Sequence, residues 1–310
     1  MAAIRILLAA YNGEAYHRQQ LDSVLAQTCR DFQLIVSDDQ SRDETPRILE
    51  EYAEKYPDQI LYYRSGLRFG SAQGHFMHLL KTFSQSDYIM FCDQDDVWHP
   101  DKVSKTLAQM EKTELSADIP TLVHTDLRVV DANLQQISPS FCHHSGIDGN
   151  CLALNQLLVQ NVVTGCTVMI NRSLALLANA QPTPDTMRMH DWWLALLASA
   201  CGNISFLNEA TIDYRQHGSN SVGAKDVRSP AYLLKRLFSS PMRQGLRLAA
   251  LQAQSFDALY GDRLSEQQRA LIRAFASTAD MGLLKRDRIY IRYRLLKSGF
   301  IRRLSQLMGL

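Results

Sequence analysis

Four short apolar runs, Ile4–Ala9, Phe32–Val36, Ile60–Tyr63 and Tyr88–Cys92, punctuate the first third of the chain, with helix-period apolar residues between them. Runs of this length bounded by turn residues predict buried parallel strands. The intervening faces are Leu21, Val24, Leu25 and Thr28 in a helix over Glu14–Thr28, then Ile48, Leu49 and Tyr52, then Phe76, Leu79, Leu80 and Phe83. Thr45-Pro46 opens the second of these helices, a capping hydroxyl ahead of a proline at the first helical position. Repeated strand–helix units imply a parallel α/β sheet with ligands at the carboxyl ends of its strands. Both acidic clusters of this region stand at such ends: Asp38-Asp39 after the second strand, Asp93-Gln94-Asp95-Asp96 after the fourth.

The rest of the chain is less regular. Thr121–Val130 and Val162–Ile170 predict strands, Leu152–Val159 and His190–Ala200 helices, and Ile204–Leu207 and Thr211–Tyr214 two short strands. Beyond Gly223 the text is helical and basic. Hydrophobic residues at 46 % and charged residues at 21 % suit a full core and exclude disordered, collagenous and coiled-coil classes. A net charge of +1 gives no global field to recruit nucleic acid. The balance is uneven, because from Lys285 onward eight Lys/Arg face one acid, Asp287, a local charge of +7.

The longest uncharged stretch, Gly149 to Asn171, carries Asn150, Asn155, Gln156, Gln160 and Asn161, too many amides for a bilayer span. The apolar run Ile6–Ala10 ends in Tyr11-Asn12-Gly13, which reads as a first strand; a signal peptide needs a longer apolar core. Six scattered cysteines without a CxxC pair predict free thiols in a reducing cytosol.

Asp93, Asp95 and Asp96 crowd three carboxylates behind a buried strand, a repulsion that a hard divalent cation relieves. Mg²⁺ and Mn²⁺ prefer such oxygen ligands and commonly share their shell with substrate phosphates. A solvated turn leading into the helix near Pro100-Asp101 is the plainer alternative. Asp38 and Asp39 suit a base N–H or a ribose hydroxyl, or else cap the helix before Pro46. His190-Asp191-Trp192-Trp193 opens an apolar helix, where Asp191 gains from the helix dipole and is also a candidate general base. The two tryptophans suit either a sugar face or core packing. Arg215 fits phosphate recognition and His217 a metal shell. Arg68 and Gly70 suggest a weaker diphosphate contact after the third strand. No Walker or dinucleotide loop, His-Glu-x-x-His or Gly-x-Ser-x-Gly appears.

The motifs Ala9-Ala10-Tyr11-Asn12-Gly13, Ser37-Asp38-Asp39-Gln40-Ser41-Arg42-Asp43, Asp93-Gln94-Asp95-Asp96-Val97-Trp98, Asn161-Val162-Val163-Thr164-Gly165-Cys166, His190-Asp191-Trp192-Trp193 and Tyr214-Arg215-Gln216-His217-Gly218 follow one another in order. In this the chain resembles family 2 glycosyltransferases of the GT-A fold, and among them the bacterial rhamnosyltransferase-like branch of surface polysaccharide synthesis. The resemblance implies a mainly parallel sheet with a C-terminal helical extension. It divides the chain into a catalytic domain over 1–223, with a nucleotide-binding half (1–120) and an acceptor half (121–223), and a basic extension over 224–310.

It also implies roles. Ala10, Tyr11, Asn12, Glu14, Asp38, Asp39, Arg68, Gly70, Asp93, Asp95, Thr164, Gly165 and Arg215 would bind the nucleotide-sugar. Asp95, Asp96 and His217 would hold Mn²⁺ or Mg²⁺, and Asp191 would be the catalytic base. His190, Trp192 and Trp193 would meet a saccharide or lipid-linked saccharide acceptor. Two departures stand out: Arg68 and His75 where asparagines are usual, and Gln40 where glycine is common. The donor favoured by the resemblance is dTDP-L-rhamnose, with UDP-hexoses or UDP-N-acetylhexosamines as alternatives. A metal-dependent nucleotidyltransferase or phosphohydrolase and a non-catalytic nucleotide-sugar-binding partner are the competing classes. The basic tail, with Ile289, Ile291, Leu295, Phe300 and Ile301 among Arg292, Arg294, Lys297, Arg302 and Arg303, suits a helix on the cytoplasmic face of a membrane or one packed on the catalytic domain.

Overall fold

A computed structural model describes residues 3–217 and 241–308; Gly218 of the last motif and the expected boundary at Gly223 lie outside them. Among the described residues nine strands form one sheet: β1 (Ile4–Ala10), β2 (Phe32–Asp38), β3 (Ile60–Tyr62), β4 (Tyr88–Cys92), β5 (Val97–Trp98), β6 (Thr121–Val130), β7 (Gln136–Ser138), β8 (Met169–Asn171) and β9 (Asn203–Arg215). The order is β3-β2-β1-β4-β8-β6-β9-β5, with β7 beside β6. As the alternating pattern predicts, β3, β2, β1 and β4 pair in parallel. The second half is mixed. There β6 and β9 run parallel, while β8 is antiparallel to both β4 and β6, and β5 and β7 are antiparallel additions.

The helices are α1 (His17–Leu25), α2 (Thr45–Lys55), α3 (Ala72–Thr82), α4 (Lys102–Thr113), α5 (Phe141–His144), α6 (Leu154–Val159), α7 (Arg172–Asn179), α8 (His190–Cys201), α9 (Pro241–Tyr260), α10 (Glu266–Ala276), α11 (Leu283–Arg292) and α12 (Phe300–Met308). Alternation along β1 assigns them to two layers: Ile6 and Leu8 face a core shared with α1, α2 and α4, and Leu7 faces one shared with α3, α6, α7 and α8.

Three expectations are corrected. Only the end of Val162–Ile170 is strand, because Gly165–Thr167 close a 3-10 turn held by the Thr164 carbonyl. Ile204–Leu207 and Thr211–Tyr214 belong to one long strand, β9, whose register against β6 shifts at Asp126. The first helix is shorter than Glu14–Thr28, since Glu14 is held in the β1 loop by its own backbone and side chain.

The C-terminal helices share the second core. Leu246, Ala249, Ala250, Ala253, Phe256 and Tyr260 give α9 a helical-period apolar face. Phe256 and Tyr260 meet the Trp193 ring edge-on, with centroids 5.3 and 6.0 Å away. None of the six cysteines forms a disulfide, and no described helix is long and apolar enough to cross a membrane.

Candidate active site

Strand register builds the site. Ala10 pairs with Asp38 and Leu8 with Cys92, so the chain leaves β1, β2 and β4 along one edge of the sheet. Successive strands are added on one side of β1 and then, with β4, on the other, which opens the crevice where such sheets take ligands. Tyr11, Asp38 and Asp93 stand at its rim. The Tyr11 N–H donates to Gln94 Oε1 (2.7 Å) and Gln94 Nε2 donates to the Tyr11 carbonyl (3.0 Å), clamping the β1 and β4 loops together. Asn12, with φ of 47°, donates its N–H to Ser41 Oγ (2.8 Å) and accepts from the Arg42 N–H (2.9 Å). Glu14 Oε2 accepts from the Glu44 N–H (2.8 Å). Asn12 and Glu14 therefore join two loops, and Tyr11, 44 % exposed, keeps a free surface.

Asp38 accepts from the Ser41 N–H (2.9 Å) and the Ser41 hydroxyl. Asp39 is buried, and its two oxygens accept the Phe69 N–H and the Gly70 N–H (2.8 Å for Gly70). The Gly70 amide expected at a diphosphate is thus held by Asp39, which staples the loop after β3 to the end of β2. Arg68, in that loop, is exposed.

The acidic cluster separates into two layers. Asp95 Oδ2 lies 2.7 Å from His217 Nε2, both partly buried at the crevice. Asp96 turns inward, fully buried; its Oδ1 accepts the Arg215 N–H (3.2 Å), and its Oδ2 has no hydrogen-bond partner among the described residues. Ligand atoms of Asp93, Asp96 and Cys166 come within 4.8 Å of one another. Burial first, and then neighbouring carboxylates, pushes the Asp93 and Asp96 carboxyls up, and burial raises the Cys166 thiol as well. Asp96 and Cys166 are fully buried, whereas the carboxylate of Asp95 and the imidazole of His217 reach the crevice, where a hard divalent cation could meet them. Asp96, expected as a third ligand, turns its Oδ1 to the Arg215 N–H instead of to that pair.

Arg215 is also a structural residue. Its guanidinium donates to the Asp95 carbonyl (2.8 Å), the Ala132 carbonyl (2.6 Å) and Gln19 Oε1 (2.7 Å). It lies over the Tyr16 ring at 4.7 Å, and Tyr16 packs against His217 at 4.8 Å. Each nitrogen of the fork has an acceptor, and the side chain fixes the Asp95 backbone at the crevice.

Asp191 faces these groups from the first turn of α8. It is 7 % exposed, and Oδ1 accepts from Asn161 Nδ2 (3.0 Å) and from the Trp192 N–H. Burial pushes its carboxyl up to about 6, opposed by hydrogen bonds from Trp192, Gly165 and Asn161. Its charge helps raise Asp93. Thr164 and Gly165 border it through the 3-10 turn. A Cβ on Gly165 would fall 2.8 Å from His190 Nε2 and 3.5 Å from Asp191 Oδ2. Gly165→Ala is expected to cost about 1–3 kcal/mol of stability by overpacking against His190 and to lower kcat at least about tenfold, because a shift of His190 moves the helical turn that carries Asp191. Steady-state kinetics beside thermal melting would separate the two effects.

His190 is buried between Phe76 and Phe91, with centroids 4.6 and 5.2 Å away, and burial lowers it to about 3. Trp193 is core. Of the three residues expected at the acceptor, Trp192 alone keeps solvent-facing surface, its indole N–H donating to the Leu157 carbonyl (2.6 Å). Gln94, Tyr16 and Asn161 join the site without a local sequence signal for their roles. The first and last lie inside motifs, but their partners are 83 and 30 positions away.

The profile of the family described as "Glycosyl transferase family 2" matches residues 5–175. The dTDP-rhamnosyl transferase RfbG of Shigella flexneri is 29 % identical over 225 residues, covering 70 % of this chain and 74 % of its own. An uncharacterized glycosyltransferase of Rickettsia felis is 25 % identical over 233 residues, 72 % of this chain and 35 % of its own. Among solved structures, S. aureus TarS 1-349 superposes with a TM-score of 0.58 at 16 % identity, covering 89 % of this chain and 71 % of that one. The mannosyltransferase PcManGT from Pyrobaculum calidifontis, in complex with GDP-Man and Mn²⁺, gives 0.55 at 14 % identity, covering 99 % and 85 %. These two likenesses bear on the fold.

Proposed function

This chain belongs to glycosyl transferase family 2, with the GT-A fold, and on that premise we propose that it is an inverting transferase moving L-rhamnose from dTDP-L-rhamnose to a saccharide or lipid-linked saccharide. The observation that carries the reading is a buried, hydrogen-bonded carboxylate, Asp191, facing a crevice whose other wall bears Tyr11, Asp38, Asp93 and the Asp95–His217 pair. Likeness to RfbG, a protein named as a dTDP-rhamnosyl transferase, supports the donor. Work on cytoplasmic precursors of bacterial surface polysaccharide fits such an activity.

Tyr11 offers its exposed ring to the nucleotide base, with Asp38 beside it for a base N–H or ribose hydroxyl. Asp95 and His217 would hold Mn²⁺ or Mg²⁺, which when bound supplies positive charge for the departing diphosphate. Asp93, between Asp95 and Asp191, lies where the sugar and ribose hydroxyls would seat. Asp191 takes the proton of the acceptor hydroxyl as that oxygen attacks the anomeric carbon from the face opposite the diphosphate. The C–O bond to the leaving group breaks as the new one forms, so the configuration inverts. Asn161 and the Gly165 N–H keep Asp191 aimed throughout, and Trp192 offers a partly open indole beside it.

Donor identity is tested by thermal melting with Mn²⁺ against dTDP, UDP and GDP and their sugars. A ligand at a hundred times its dissociation constant adds about 2.7 kcal/mol. Stabilisation by dTDP and dTDP-L-rhamnose above the UDP and GDP series is expected. Preference for UDP ligands would favour the hexose or N-acetylhexosamine reading, and release of free phosphate or pyrophosphate would point to hydrolase or nucleotidyltransferase chemistry.

A further inference from the structure

Helix α12 packs Leu307 against the second core but leaves most of its large apolar side chains outside. Its buried residues are the polar Ser305 and Gln306, while Phe300, Ile301, Leu304 and Met308 are 79, 40, 43 and 54 % exposed. Spacings of one, four and eight put those four side chains on one stripe. Polar contacts hold the helix in this orientation. Gln306 Nε2 donates to the Leu295 carbonyl (2.8 Å), Gln306 Oε1 accepts the Lys297 N–H (2.9 Å), and Arg286 Nη2 donates to the Gln306 carbonyl (3.0 Å). Arg302 donates to the Ser145 and Gly146 carbonyls on the catalytic side. The apolar stripe therefore faces outward because the other face is hydrogen-bonded down.

Helix α11 continues the pattern. Leu284, Arg288 and Ile291 are exposed at spacings of four and three, with Lys285 and Arg292 exposed beside them. The sole acid after Met281, Asp287, pairs with Arg286 at 3.0 Å. An exposed surface that interleaves large apolar side chains with cations that pair with no acid among the described residues matches the boundary of an anionic bilayer in both chemistry and charge.

We propose that α11 and α12 form a docking surface for an anionic lipid membrane, with Phe300, Ile301, Leu304 and Met308 entering the headgroup–acyl boundary. This surface is tied to the catalytic edge. The Ser298 N–H and hydroxyl both donate to Gln160 Oε1 (3.0 and 3.2 Å), and Gln160 precedes Asn161, whose amide holds Asp191. Resting on the transferase reading, a chain docked in this way would work on an acceptor carried at the membrane.

The test is flotation of the full chain with phosphatidylcholine vesicles, with and without phosphatidylglycerol. Wild type is compared with Phe300→Asp/Leu304→Asp and with Arg288→Glu/Arg292→Glu. Wild type should float with the anionic vesicles and stay down with neutral ones. The apolar pair should lose at least about tenfold in partition, and the charge reversal more than the about fivefold carried by each basic residue. If the apolar pair fails to fold, as read from its melting curve, the charge reversal decides alone. Equal flotation on both vesicle types, flotation of the variants like wild type, or no flotation of wild type overturns the proposal. Light scattering that shows a wild-type dimer split by Phe300→Asp/Leu304→Asp, with flotation unchanged, assigns the stripe to a second copy of the chain instead. Flotation needs no donor and nucleotide-induced melting shifts need no lipid, so failure of this surface and failure of the transferase reading are separately visible.

Discussion

Asp191→Asn should lower kcat by about 10²–10⁴-fold, the range general-base catalysis supplies, while the melting shift caused by Mn²⁺ and nucleotide stays as in wild type. The amide is nearly isosteric and keeps an oxygen for the Asn161 amide and the Trp192 N–H, so the pocket survives; what is lost is the ability to accept a proton. The pH profile checks the same assignment independently. With the carboxyl pushed up to about 6 by burial, kcat should fall about tenfold per pH unit below that value as the base is protonated, and the variant should show no such limb. The stability effect has the opposite sign. Because the folded protein holds this proton to higher pH than the unfolded chain, whose ordinary value is 3.8, Asp191 makes folding less favourable as pH rises between those two values. Wild-type rates in Asp191→Asn, or a pH profile shared by both proteins, would remove Asp191 from the base role.

Asp95→Asn and His217→Ala should each weaken Mn²⁺-dependent nucleotide binding at least about a hundredfold, since changes even one shell further from a metal cost 10–100-fold. Asp96→Asn separates the two layers of the acidic cluster. Its carboxyl is fully buried and accepts the Arg215 N–H through an oxygen that the amide keeps. It should leave metal-dependent binding near wild type while altering the melting temperature. Calorimetric titration of Mn²⁺ plus nucleotide into the three variants reads all of this; equal losses in Asp95→Asn and Asp96→Asn would mean that both carboxylates contact the ion.

The legibility of this molecule in its sequence follows the range of the interactions. Strands β1 to β4, with the acidic ends of β2 and β4, are written in local apolar runs and are found where expected. The stretch around Gly165 is as apolar as a strand, yet it turns, because backbone bonds and the close approach of His190 decide its shape. The cluster Asp93-Gln94-Asp95-Asp96 announces a site but not which carboxylate faces it. That depends on Arg215, 119 positions from Asp96, whose N–H draws Asp96 inward while its guanidinium grips the Asp95 carbonyl. Arg215 and Trp193 belong to residue types that bind phosphates and sugars, and both are buried here, Trp193 under a helix some sixty positions later and Arg215 among Gln19, Asp95 and Ala132 from far earlier in the chain.

The contact of Trp193 with Phe256 and Tyr260 bears on how the chain can be divided. The helix whose first turn aims Asp191 has its opposite flank closed by residues from beyond position 240. Cutting the extension away would bare an indole and the aliphatic rows around it, and it would loosen the helix on which the proposed proton acceptor sits. On that proposal the C-terminal helices buttress the site, and a shortened fragment would lose cohesion and turnover together.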